Sequence, residues 1–164
     1  VLLLSRSSYG IKFWGFICIA FFTGMLAEWI GVHTGLLFGD YKYGPVLGPK
    51  LYDVPIIIGF NWAMLSIVSA ALLNKLKINF YLEVFFAAIL MVFLDFLMEP
   101  VAIKLHFWNW KNDLIPLYNY VCWLLVSLVI QFAYRKWRLN ESNNVAVALF
   151  FYITVFFSIL NLYL

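Results

Sequence analysis

Charge is what this sequence most lacks. Asp, Glu, Lys and Arg make up 12% of its 164 residues, about half the share usual in a soluble domain. A water-facing globular surface is therefore excluded. The formal net charge of +3 is too small to mark a nucleic-acid binder and speaks to membrane orientation instead. Histidine is nearly absent: His33 and His106 stand far apart, which rules out the histidine boxes of a di-iron oxygenase. The two cysteines, Cys18 and Cys122, each sit in an apolar run and suit packing better than a disulfide framework. No secretory signal with a small-residue cleavage site is visible. The chain opens VLLLSRSSYG without Met, and helices upstream of this start are expected.

What is present is hydrocarbon and aromatic surface, 65% and 21% of the residues. Lipid offers the backbone no hydrogen-bond partners, so such a chain must be helical. Five apolar runs reach the roughly 20 residues that a span needs: about Ile11 to Gly31, Pro55 to Leu73, Phe80 to Ile103, Leu117 to Tyr134 and Val145 to Leu164. The fold class expected is all-α, a polytopic transmembrane helical bundle forming a single domain over residues 1–164.

The loops set the orientation. Arg6, Lys12, Lys75, Lys77, Arg135, Lys136 and Arg138 fall on one side. Lys42, Lys50, Lys104 and Lys111 fall on the other and are offset by Asp40, Asp53 and Asp113. The positive-inside rule places the second-to-third and fourth-to-fifth loops in the cytoplasm of a bacterial-type inner membrane. Trp108, Trp110, Tyr118 and Tyr120 then read as an outer interfacial belt and Trp137 as an inner one. The Asn140-Glu141-Ser142 sequon lies in a loop read as cytoplasmic and carries no weight.

The connector from Val32 to Val54 is far longer than most helix–helix links. Its glycines permit tight turns, and Phe38, Tyr41, Tyr43 and Tyr52 argue for order. It reads as an ordered lid, or a partly re-entrant segment, over the outer end of the bundle.

Acids inside apolar helices face protein or a cavity. Glu28 shares a stripe with Gly24, Ala27 and Gly31, small residues that let helices approach closely. Asp95 and Glu99, four apart, lie on one helix face, about 14 and about 8 Å before Lys104 at 1.5 Å per residue. Asn61 and Trp62 lie about 9–11 Å into the second run. All four polar residues, Glu28, Asn61, Asp95 and Glu99, therefore share one slab. It lies beneath a connector carrying His33, Thr34, Asp40, Tyr41 and Tyr43. The bland alternative is that Glu28 or Glu99 simply pairs with Lys50 or Lys104.

Several chemistries fall away. The prolines of Gly44-Pro-Val-Leu-Gly48-Pro-Lys50 lack the N–H groups of a phosphate cradle. Asp95-Phe-Leu-Met-Glu99 supplies at most one of the two acidic clusters that a diphosphate-handling prenyltransferase needs, and no mid-span lysine suits a retinal Schiff base. Acid–base chemistry on a greasy substrate remains. A buried carboxylic acid disfavours its ionised form and can keep a proton to donate. Protonating a trisubstituted alkene gives a tertiary carbocation, which aromatic ring faces stabilise.

At these residues the sequence resembles the integral-membrane carotenoid biosynthesis family that includes gamma-carotene hydratase and bisanhydrobacterioruberin hydratase. The matching pieces are Glu28-Trp-Ile-Gly31-Val-His-Thr34-Gly35-Leu-Leu-Phe38-Gly39-Asp-Tyr41-Lys-Tyr43, Leu47-Gly48-Pro49, Val54-Pro55 through Trp62, Asp95-Phe-Leu-Met-Glu99-Pro100 and Phe107-Trp108-Asn-Trp110. The likeness runs from about residue 13 to 134, the fifth run matching only in hydropathy. Glu99 stands where many members have Asp before the proline, and the family usually carries helices upstream.

The resemblance implies a cofactor-independent carotenoid hydratase with no metal. It would add water to the terminal double bond of an acyclic end group. Asp95 would be the proton donor, with Glu99 or Glu28 orienting and deprotonating water. Asn61, Tyr41 and Tyr43 would position that water, and Trp62 and Trp29 would line the cation. Thr34, Asp40 and His33 would complete the substrate side. A membrane lycopene cyclase, or a non-enzymatic carotenoid-binding or transport protein, are the alternatives. The expected partners are a carotenoid or other long isoprenoid and the lipid bilayer, with no nucleic acid; a homo-oligomer stays open.

Overall fold

A computed structural model describes residues 10–74, 76, 78–137, 139 and 143–164. Arg6, Lys75, Lys77 and Arg138, four of the charges used for orientation, lie outside the described residues, as do the Asn140–Ser142 sequon and the opening segment. Five helices carry the described residues: α1 (Ile11–Thr34), α2 (Ile56–Leu73), α3 (Phe80–Lys104), α4 (Leu117–Lys136) and α5 (Asn144–Tyr163). Each is long and apolar enough to cross a membrane, and the protein is an all-α integral membrane bundle.

The helix ends have local causes. Asn79 Oδ1 accepts from Leu82 N and Asn143 Oδ1 from Ala146 N, capping α3 and α5. Helix α1 runs past Gly31, the end read from the sequence. His33 and Thr34 fold back onto the carbonyls of Trp29 and Ile30, and Gly35, at φ 66°, closes the helix with its N–H on Gly31 O.

Helices α1 to α4 form the core, and α5 packs on α2 and α3 from outside. Only Ala146 and Phe150 of α5 are buried. Gly24 is required where α1 meets α2, because a Cβ there would collide with the Trp62 ring. Gly24 thus lets α1 approach α2 closely, whereas Gly31 makes room for Tyr41 and Phe38 of the connector.

The long connector is ordered. Its strand β1 (Tyr41–Tyr43) pairs antiparallel with β4 (Trp108–Trp110) of the α3–α4 connector, Tyr41 opposite Trp110 and Tyr43 opposite Trp108. Strands β2 (Lys50–Leu51) and β3 (Val54–Pro55) form a tight hairpin through Tyr52 and Asp53, both at positive φ. Gly44 abuts the second connector: its N–H donates to Phe107 O at 2.8 Å, and a Cβ would collide with His106 O. Both connectors therefore belong to one end of the bundle. Cys18 is exposed, Cys122 is buried, and both are free.

Candidate active site

Strand geometry builds the roof of a polar chamber. Side chains alternate across a strand, so Tyr41 and Tyr43 of β1 project on the same side as Trp108 and Trp110 of β4, while Lys42 and Asn109 are exposed. The cross-strand rings meet at 5.0 Å (Tyr41–Trp110) and 6.0 Å (Tyr43–Trp108). Each of the four aromatics carries one donor, and all four donors end on carboxylates.

Tyr41 Oη and Tyr43 Oη donate to Glu28 Oε2 at 2.5 and 2.8 Å, and Trp62 Nε1 donates to Glu28 Oε1 at 2.9 Å. Trp108 Nε1 and Trp110 Nε1 donate to Glu99 Oε2 at 2.9 and 2.8 Å. Asn119, in the first turn of α4, bridges the two acids of α3. Its Nδ2 lies 3.1 Å from Glu99 Oε1 and 3.1 Å from Asp95 Oδ2. Glu28 and Glu99 thus accept three donors each, the complement an anion wants. Asp95, 1% exposed, accepts one, and its Oδ1 has no partner among the described residues. Burial, and then the neighbouring Glu28, push the Tyr41 and Tyr43 phenols well above their ordinary range. Both hydroxyls therefore stay protonated and donating.

Glu28, Asn61, Asp95 and Glu99 line one cavity, the convergence expected from their depths. Its volume is ≈ 20 Å³, against roughly 10–15 Å³ needed for a single water. An aromatic wall closes one side. Trp123 and Phe38 line the cavity, Trp62 stacks on Trp123 at 3.8 Å and 14°, and Phe38, held buried at φ 64°, sits 6.4 Å from each ring. A non-glycine residue forced to positive φ in a core marks a place where surroundings over-determine the backbone. Next to this chamber is an apolar cavity of ≈ 140 Å³, whose lining shares Ile58, Asn61, Met98 and Trp108 with the chamber and extends to Ile57 and Phe157. Ile57 is 51% exposed on the outside of the bundle.

A family of known proteins matches residues 1–164, described as carotenoid biosynthesis protein. This chain belongs to that family. The match takes in the whole chain, α5 included, and so extends beyond the 13–134 stretch legible as motifs. No curated protein and no solved structure matches it.

Four residues expected at the site lie elsewhere. Trp29 is 42% exposed and lines a separate apolar cavity with Phe22, Met25, Leu26, Leu51 and Tyr52. It follows Glu28 by about 100° of helix rotation, so when the acid faces inward the indole faces out. His33 is exposed, engaging Trp29 O and lying 3.5 Å from Asp53. Thr34 is spent on the end of α1, donating to Ile30 O and accepting from Leu36 N. Asp40 is exposed and pairs with Lys111 at 2.7 Å, which ties connector to connector.

The aromatic belt also changes. Trp108 and Trp110 are donors to Glu99 and not headgroup anchors, and Trp137 is half-buried against Gly15 of α1. Neither Lys50 nor Lys104 pairs with Glu28 or Glu99 among the described residues; Lys50 Nζ instead donates to Tyr43 O. Arg135, counted as a loop charge, is a buried residue of α4.

Asn119 and Trp123 went unread in the sequence. The signal for them is an amide one turn ahead of an indole at the start of an apolar span.

Proposed function

We propose that this protein is a carotenoid hydratase that adds water to the terminal carbon–carbon double bond of an acyclic end group. Membership of a carotenoid biosynthesis family supplies the substrate class. The observation that carries the reaction is the junction of a water-sized acid chamber with an apolar cavity, Asn61 and Trp108 standing in the shared wall. A polyene end group arriving from the bilayer beside Ile57 and Phe157 lays its terminal alkene at that wall.

Asp95 is the proton donor in this reading. Of the three acids it has the fewest hydrogen bonds, and its Oδ1 is unengaged. Its proton goes to the less substituted alkene carbon, the π pair forming the new C–H bond and leaving a tertiary cation. The rings of Trp123, stacked on Trp62, and of Phe38 stabilise that charge. Water held between Glu28, Glu99 and the Tyr41 and Tyr43 hydroxyls attacks the cation, and Glu99 or Glu28 takes the proton that water loses. The balance is alkene plus water to tertiary alcohol.

Cytoplasmic placement of the α2–α3 and α4–α5 turns, from the positive-inside count, completes the proposal. The test is expression in a host that makes lycopene or gamma-carotene, followed by weighing the pigments. Hydration adds the mass of water. A product of unchanged mass with a ring indicates cyclisation, and unchanged pigment that co-purifies indicates a binding protein; either overturns the reading.

A further inference from the structure

A second set of polar groups runs down the inside of the bundle, away from the connectors. On α4, Asn119, Trp123, Ser127, Gln131 and Arg135 recur at every fourth residue, and all are buried. Neighbours four apart adjoin on the helix surface, the row winding by about 40° per step, and the run covers about 24 Å at 1.5 Å per residue, most of the roughly 30 Å hydrocarbon core. On α3, Glu83, Met91, Asp95 and Glu99 are also separated by multiples of four. From α2 come Ser66 and Ser69, both fully buried.

Contacts link the three helices along this line. Gln131 Nε2 donates to Ser66 O at 2.9 Å and reaches Met91 Sδ at 3.2 Å. Arg135 donates to Asn74 Oδ1 at 2.7 Å and Ala70 O at 3.1 Å. Glu83, 3.5 Å from Arg135, offsets the positive charge that would otherwise repel a proton.

The decisive feature is what these groups leave unused. Among the described residues, the buried side-chain polar atoms without a partner are Asp95 Oδ1, Ser127 Oγ, Gln131 Oε1 and Arg135 Nε, all on α3 and α4 along this line, and Ser69 Oγ of α2, three residues on from Ser66. Buried polar atoms are almost always satisfied by protein or by ordered water. Polar residues kept only to glue helices together would spend these atoms on one another. Ser127, Gln131 and Arg135, each with a spare atom and about 6 Å apart along α4, are instead spaced for bridging waters.

We propose that this polar file holds a chain of waters that re-protonates Asp95 from the Arg135–Glu83 end of the bundle. The inference rests on Asp95 as the proton donor. After Asp95 has given its proton to the alkene carbon, its carboxylate takes one from the nearest water of the file. Each water passes a proton along, and solution replenishes the far end. The proton shed by the attacking water goes through Glu99 or Glu28 to solvent, so no net proton is consumed. Ser127 and Gln131 are positioning residues here, since they touch neither substrate nor the reacting atoms.

The test is hydrogen–deuterium exchange of the Asp95 carboxyl, followed by infrared spectroscopy on the full-length protein in lipid nanodiscs. The band is assigned by its loss in Asp95→Asn. In Gln131→Leu and in Ser127→Ala, exchange is expected to slow at least about tenfold and hydration turnover to fall in parallel, with bound carotenoid retained. Gln131→Glu, which keeps a relay group, is expected to restore exchange. Should Gln131→Leu fail to accumulate, Ser127→Ala and Ser69→Ala carry the measurement. Wild-type exchange rates in the variants, with only the unfolding temperature altered, overturn the file while leaving Asp95 as donor. No protonated Asp95 band, or full hydration by Asp95→Asn, overturns the donor assignment itself.

Discussion

At the connector end of the bundle, Glu28 and Glu99 are gripped by indoles, phenols and an amide until no carboxylate oxygen is idle. Towards the opposite end, Ser69, Ser127, Gln131 and Arg135 are as deeply buried but each keeps an atom unengaged. Asp95 stands where the two regimes meet, with one oxygen in each. The difference is one of donor stiffness. Trp and Tyr donors sit on rigid rings, here fixed further by a strand pair, so they hold an acid in one geometry. Gln131 joins α2 and α3 through its amide nitrogen alone, and its oxygen and the Ser69 and Ser127 hydroxyls keep capacity for small mobile partners. A catalyst that fixes a water at one end and moves protons at the other needs both arrangements.

The sharpest way to break this contrast is to neutralise one acid of each kind. Asp95→Asn is expected to lower hydration by at least about 10²-fold, the usual scale for a lost general acid, with little change in thermal stability, since Oδ1 has no partner to lose. Glu28→Gln is expected to cost activity and stability together. Its new NH₂ either meets Trp62 Nε1, which can only donate, or turns the Tyr41 and Tyr43 hydroxyls into acceptors whose own protons lose the carboxylate, and an unsatisfied buried group costs about 1–3 kcal/mol. Pigment mass spectrometry and unfolding scans on the same preparations separate the two patterns. Equal stability losses in both variants would erase the distinction.

Next in size is Gly24→Ala. The new Cβ would collide with the Trp62 ring, and overpacking of this kind costs about 1–3 kcal/mol. Trp62 must shift, which loosens its bond to Glu28 and the stack on Trp123. The expected reading is a lower unfolding temperature with reduced turnover. The phenols give a pH-dependent companion. Their protonated form is favoured in the folded state, so this contribution to stability is whole below the ordinary tyrosine value of about 10. It is lost as pH rises above that value, because only the unfolded chain then ionises them. Alkaline titration should show Tyr41 and Tyr43 ionising only with unfolding, and Tyr41→Phe and Tyr43→Phe should flatten that loss.

Much of this was legible in the sequence, and the rest was hidden for particular reasons. Depth along each span needs only the helical rise, so Glu28, Asn61, Asp95 and Glu99 were placed together correctly. Rotation about a helix also needs only period. Applied to Trp29 beside Glu28, it would have turned the indole outward. The roles of Trp108 and Trp110 were hidden because a three-residue strand has no signal of its own. Its partner, Tyr41–Tyr43, is more than 60 positions away, and indoles near a span's end equally suit a headgroup belt. Asn119 and the stripe through Ser127, Gln131 and Arg135 were readable as a four-residue repeat, yet each polar residue is easily passed over singly in an apolar run.

The smallest expected effect marks the edge of the site. Asp40 and Lys111 join the two connectors at 2.7 Å, but both side chains are more than half exposed, where ion pairs contribute little. The register of β1 on β4 is held independently, by backbone pairing and by the four aromatics that end on Glu28 and Glu99. Replacing both members of the pair, Asp40→Asn with Lys111→Met, is therefore expected to leave hydration and the unfolding temperature within measurement error at any salt concentration. A clear loss of turnover would mean that the roof needs this outer tie to keep its donors on the acids, and the chamber's rigidity would then depend on the exposed connector surface as well as on the rings beneath it.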